Sequence, residues 1–166
     1  LSWNATKKLN IGLFETVIWD DSNDRGFDVD YLNPLIFYTA AEFSRGTRAG
    51  NALLGLSLKY KLKNISLYSQ LILDEFRTSE IAGGNGWWGN KYGVQIGAKY
   101  HNAFNIDNLY LQGEYNAVRP YAYSHDELNL NYGHNNQPLA HLWGSNFREI
   151  IGIARYSKDR WFVNAK

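Results

Sequence analysis

The sequence predicts an all-β protein: a segment of an antiparallel up-and-down transmembrane β-barrel. Apolar and polar residues alternate along several stretches, which is the period of a strand with two different faces. The connections between these stretches alternate strictly between long and short, as they do in outer-membrane barrels but not in Greek-key sandwiches. Aromatic residues also lie near the ends of the apolar stripes, where their rings would meet lipid headgroups.

The alternation defines about seven strands, most clearly at 51–60, 65–76, 91–100 and 109–117. In the first of these, Leu54, Leu56 and Leu58 share one face. A strand of about ten residues, tilted by about 40°, spans about 25 Å, which is the height of the apolar band of a barrel. Less regular strands are expected at 9–19, 148–156 and 161–166.

The whole chain, 1–166, is expected to be a single barrel segment. A closed bacterial barrel has an even number of strands, at least about eight. An open edge cannot face lipid, so seven strands cannot be the whole of a barrel. An eighth strand within 35–44 and a larger surrounding barrel are the two alternatives, and the loop alternation favours the larger barrel. The absence of Met predicts that the chain begins inside a longer product. The expected long outer loops are 20–50, 77–90 and 119–147, and the expected short turns are 61–64, 101–107 and 157–160.

Composition narrows the possible partners and cofactors. The chain has 166 residues, a formal net charge of +1 and no Cys. A charge this small argues against nucleic acid as a partner, and the lack of Cys excludes disulfides and thiolate metal sites. No cofactor is expected, and the predicted partner is the lipid bilayer of the outer membrane. A soluble β-barrel or sandwich, with the aromatic rings inside its core, is the alternative.

Charged residues on the polar faces of the strands are expected to line a wet barrel lumen, where they pair with each other or contact water. The same pattern suits a porin-like or structural barrel subunit. An acid–base role for the carboxylates at 74 and 114 is a further, less favoured interpretation. The predicted lumen residues are Lys59, Asp74, Lys91, Lys99, Glu114 and Arg148.

The long loops carry the candidate ligand-binding residues. Rings and planar polar side chains together suit a sugar, although the paired Trp residues beside glycines also suit an aromatic belt. The His residues of the last loop lie on no predicted helix and are not spaced as metal ligands, so no metal site is expected. The candidate ligand-binding residues are Trp87, Trp88, Arg119, Tyr121, Tyr123, His134, Asn135 and Gln137.

An enzyme is not expected, because the sequence contains no G-x-S-x-G nucleophile elbow. An outer-membrane hydrolase that uses Ser124, His125 or Asp126 is a further alternative.

Six blocks of the sequence share a common resemblance: 33–38 with 42–44, 51–56, 73–76, 91–97, 133–141 and 146–149. Together they resemble the Wzi-like capsule-assembly family and its gliding-motility relatives of the RemB type. The resemblance implies an outer-membrane barrel of many strands, with a role at the cell surface in capsular polysaccharide attachment or gliding motility. It implies surface polysaccharide or other outer-membrane proteins as partners and supplies no catalytic residues.

Overall fold

The computed structural model describes residues 1–20, 50–74 and 90–166, and they form an all-β structure with almost no helix. An eight-stranded antiparallel sheet has the order β1-β2-β3-β4-β5-β6-β9-β10, and β7 and β8 form a separate hairpin. The predicted all-β antiparallel class is confirmed. The strands are β1 Ser2–Asn4, β2 Leu9–Ile18, β3 Asn51–Leu62, β4 Ile65–Leu73, β5 Tyr92–His101, β6 Leu109–Val118, β7 Gly133–His134, β8 Gln137–Pro138, β9 Phe147–Lys158 and β10 Trp161–Ala165.

The described sheet has one strand more than the sequence predicted. Strand β1 was missed because it has only 3 residues, too few to show an alternation. Its place in the sheet comes from pairing, since Trp3 lies opposite Ile11 of β2. The proposed strand at 35–44 lies outside the described residues.

The chain runs up and down through the sheet, so its connections lie at the two opposite ends of the strands. Residues 63–64, 102–108 and 159–160 join strands at one end, where a short 3-10 helix, Ala103–Asn105, forms part of the middle turn. Residues 119–146 connect β6 to β9 at the other end. In the described part of the chain, no helix is long and apolar enough to cross a membrane.

One face of the sheet is apolar across its width. Side chains of residues that pair directly in an antiparallel sheet lie on the same face, so the strand register assigns each residue to a face. One such row consists of Leu13, Leu56, Leu71, Val94 and Ala117.

Large side chains on this apolar face are exposed. Ile96, in the middle of β5, is 56% exposed, and Ile150 of β9 is 84% exposed. Leu13, Leu58, Leu67 and Tyr115 are also exposed. The described sheet therefore does not bury its leucine stripes against a second layer.

The other face is polar and more crowded. The rings of Phe14 and Tyr68 lie where a Cβ on Gly55 and on Gly97, respectively, would be placed. By contrast, a Cβ on Gly113, on the apolar face, would meet nothing within 4 Å. Glycines on the polar face thus make room for rings that lie across the neighbouring strand, an arrangement also used to stabilise sheets.

Gly97→Ala is expected to lower the free energy of unfolding by about 1–3 kcal/mol, because its new methyl group overlaps the Tyr68 ring and forces that side chain to move. Gly113→Ala is the matched control, since it adds the same atom in open space on the next strand. Urea unfolding of both variants under one condition measures the difference. Equal stability of the two variants would contradict this account of the ring and glycine pairs.

Candidate ligand site beneath the 119–147 loop

The 119–147 loop folds back over the polar face at the strand ends opposite the short turns. Its residues Ala122 and Tyr123 are buried and form a small core with Leu53 of β3. Ile72 and Val118, from β4 and β6, pack against that core. Apolar residues on the polar face, at the strand ends next to the loop, therefore hold the loop against the sheet through the hydrophobic effect.

Buried polar side chains at the strand ends fix the loop backbone. The Asp74 carboxylate accepts a hydrogen bond of 2.7 Å from the backbone N–H of Tyr123. The Asn51 amide donates to the Leu130 carbonyl at 3.0 Å, and the Lys91 ammonium donates to the Ser124 carbonyl at 2.8 Å. The side chains of Asn51, Asp74 and Lys91 are all at most 5% exposed.

These anchors change the role expected for two predicted lumen residues. Asp74 and Lys91 were expected to line a wet lumen, but both are buried and hold loop backbone. A charged group is tolerated in such a place when hydrogen bonds replace the lost water.

Tyr123 is the most enclosed ring of the loop. Burial raises the pKa of its hydroxyl to about 12, and the negative charge of Asp74 adds to the effect. The hydroxyl therefore stays protonated at neutral pH. Tyr123 is only 8% exposed, and its hydroxyl lies close to Gly93 of β5. Its φ of 73° lies in the left-handed region, where tertiary packing must support a bulky residue.

A cavity of about 320 Å³ lies between the loop and the polar face. Its floor includes the amides Gln70, Gln95 and Asn116, which are neighbours in one row across β4, β5 and β6. Aromatic rings form much of the rest of its wall. They belong to Phe14, Tyr123, Tyr132, His141 and Phe147.

A hydrogen-bond network continues from this row into the loop. The Asn116 amide donates to the carboxylates of Glu114, at 2.9 Å, and Glu149, at 3.1 Å. Glu149 also accepts from the Trp143 indole at 3.1 Å and lies 3.4 Å from the His141 imidazole. The network connects the middle of the sheet with the end of the loop, so the amide row and the carboxylates form one hydrogen-bonded unit.

Glu114 has a different partner from the lysines expected for it. Its carboxylate accepts from the Tyr68 hydroxyl at 2.5 Å. Because Tyr68 lies over Gly97, it can cross β5 and reach β6. Lys59 and Lys99 do lie on the polar face, near the short turns.

Arg148 differs from the expectation. It pairs with Ala117 and therefore lies on the apolar face, at the end of β9 beside the 119–147 loop. A shift of one residue reverses the face of every side chain, and the sequence defined the register of this strand poorly.

The candidate ligand-binding residues are not gathered in one place. Arg119 lies over the Tyr92 ring, at 5.6 Å from its centre, and Tyr121 is 62% exposed. Tyr123 is buried and lines the cavity beneath the loop. His134, Asn135 and Gln137 lie on the exposed β7–β8 hairpin. Trp87 and Trp88 lie outside the described residues.

Sequence reasoning missed the members of the cavity that come from the strands. The amides of Gln70, Gln95 and Asn116 were visible as polar positions of alternating strands, but only the register places them side by side. Trp143 carried no signal beyond its residue type.

The residues of the hydrolase alternative contact nearby backbone. The Ser124 hydroxyl donates to the Tyr121 carbonyl at 2.6 Å. His125 Nδ1 accepts from the Glu127 N–H at 3.1 Å. Asp126 is exposed beside them.

No family model, curated protein or solved structure matches the chain.

Proposed function

We propose that the chain is part of the wall of an outer-membrane β-barrel with a non-catalytic role at the cell surface. The observation that carries the proposal is the pair of unlike faces. The apolar face is continuous and exposed, whereas the polar face holds the hydrogen-bond network and the loop. Lipid on one side and an enclosed aqueous interior on the other would satisfy both faces.

Strand order supports the same proposal. The strands are antiparallel and follow one another in chain order, with short turns at one end and a long loop at the other. This is the pattern of outer-membrane barrels. Further strands beyond β1 and β10 would complete such a barrel, so the described sheet is proposed as a segment of a larger one.

The cavity beneath the loop is the proposed ligand site, and surface polysaccharide is its proposed ligand. Amides supply paired donors and acceptors for sugar hydroxyls, and rings supply apolar faces for stacking. Gln95 and Asn116 with Tyr132 and His141 offer both within one wall. Attachment of capsular polysaccharide and surface gliding motility are the roles proposed for such binding.

The test is fractionation of cells that produce the full-length protein, followed by glycan-array binding of the purified protein. We expect it in the outer-membrane fraction, and we expect Gln95→Leu to reduce glycan binding at least about tenfold, a loss of about 1.4 kcal/mol. Asn64→Leu, on the exposed turn between β3 and β4, is the matched control and should bind as the unsubstituted protein does. Recovery in the soluble fraction contradicts the membrane proposal, and equal binding by both variants removes the cavity from the site.

A porin-like barrel is the second candidate, favoured by the charged side chains of Lys59, Lys99 and Glu114 on the polar face. Conductance across planar bilayers distinguishes the two. Steady open current favours a pore, and its absence favours an interior closed by the loop.

A further inference from the structure

A groove of about 830 Å³ opens on the polar face near the short turns. Its cationic lining residues are Lys59 of β3, Lys99 of β5 and Arg155 of β9. Tyr68 and Tyr110 also line it, and no carboxylate of the described chain does. The groove is therefore a basic site, distinct from the cavity beneath the loop.

Two of the three cations lie over aromatic rings. Lys99 Nζ lies 5.1 Å from the centre of the Tyr68 ring, and the Arg155 guanidinium carbon lies 5.7 Å from that of Tyr110. The Nε of Arg155 donates to the Asn164 side chain at 3.2 Å, which fixes the guanidinium further. Cation–π contact orients a charge but does not neutralise it.

Two carboxylates on the polar face, those of Glu114 and Glu149, already accept hydrogen bonds from other side chains. Glu114 accepts from Tyr68 and Asn116, and Glu149 accepts from Asn116 and Trp143. Both carboxylates lie closer to the strand ends that meet the 119–147 loop than the basic residues do. Among the described residues, Lys59, Lys99 and Arg155 form no ion pair.

Like charges collected in a groove repel one another, and the repulsion is stronger where protein replaces part of the water. A bound anion removes this repulsion. Guanidinium suits an oxyanion because its N–H groups match two oxygens at once, and ammonium groups add charge from the sides.

We propose that this groove binds a soluble polyvalent oxyanion of the phosphate or pyrophosphate type. Binding places the anion between β3, β5 and β9, with Arg155 as the oriented donor and the two lysines as charge partners. The inference depends on the polar face of the described sheet and not on the membrane location proposed above.

The test is calorimetric titration of the folded full chain with pyrophosphate at constant ionic strength. We expect saturable binding that weakens as salt is raised, with Arg155→Gln and Lys99→Gln each reducing the affinity at least tenfold. Lys99→Arg retains the charge and is expected to retain most of the affinity.

Lys158→Gln is the matched control. It removes one positive charge near the same short turns, but Lys158 lies on the apolar face, where it pairs with Trp161 of β10. Circular dichroism of each variant shows whether its strands have formed. An absence of pyrophosphate binding, unchanged affinity in folded Arg155→Gln and Lys99→Gln proteins, or an equal loss in Lys158→Gln would overturn the proposal.

Discussion

Asp74→Ala is expected to release the 119–147 loop from the sheet and to lower the free energy of unfolding by about 1.5–3 kcal/mol. The substitution removes the buried carboxylate that accepts the Tyr123 N–H at 2.7 Å. That N–H would then be left inside the core formed with Leu53, where water does not readily replace the lost acceptor. Chymotrypsin is a suitable probe because the loop contains several tyrosines and leucines, and its cleavage of the loop should become faster.

Asp107→Ala is the control for this loop experiment, because it removes a carboxylate from an exposed turn between β5 and β6. We expect its loop to be cleaved at the unsubstituted rate. Asp74→Asn, which retains an acceptor oxygen without the charge, should lie between the two. Equal cleavage rates in the Asp74→Ala and Asp107→Ala proteins would show that the carboxylate does not hold the loop.

Ile96→Arg is expected to prevent insertion into lipid bilayers, whereas Gln95→Arg is expected to permit it. The two residues are adjacent in the middle of β5 and lie on opposite faces of the sheet. An arginine on the lipid face costs about 2–4 kcal/mol at the bilayer midplane, but on an aqueous interior face it stays hydrated.

The measurement for this pair is the fraction of each protein that folds into phospholipid vesicles, read as protection from added protease. The proposal predicts protection of Gln95→Arg and cleavage of Ile96→Arg. Full protection of Ile96→Arg would mean that the apolar face does not contact lipid, and the outer-membrane proposal would fail with it.

The sequence predicted the strands well because each reports its own two faces through local alternation. The leucines of β3 and the amides of β4 to β6 were assigned to opposite faces from the sequence, and the pairing places them there. Strand β1 and the face of Arg148 were not predicted correctly, because a 3-residue strand has no period and a strand end has no fixed phase.

The candidate site was less predictable, because its contacts join distant parts of the chain. Asp74 and Tyr123 are 49 residues apart, and Asn51 and Leu130 are 79 apart. Nothing in the local pattern distinguishes an anchoring carboxylate from one that meets water. The burial of Tyr123 was not predictable for the same reason, since it depends on packing against Leu53 and Ala122.

The rings that lie over glycines also determine how far each strand can slide along its neighbour. A slip of two residues would keep every leucine on its own side, so the alternation alone tolerates it. The same slip would move Tyr68 from Gly97 onto Gln95 or Lys99, where side-chain atoms occupy the space it needs. Phe14 over Gly55 imposes the same condition on β2 and β3. Because the strands of this sheet have similar apolar patterns, the ring and glycine pairs select one register from several that place the same apolar side chains on the same face.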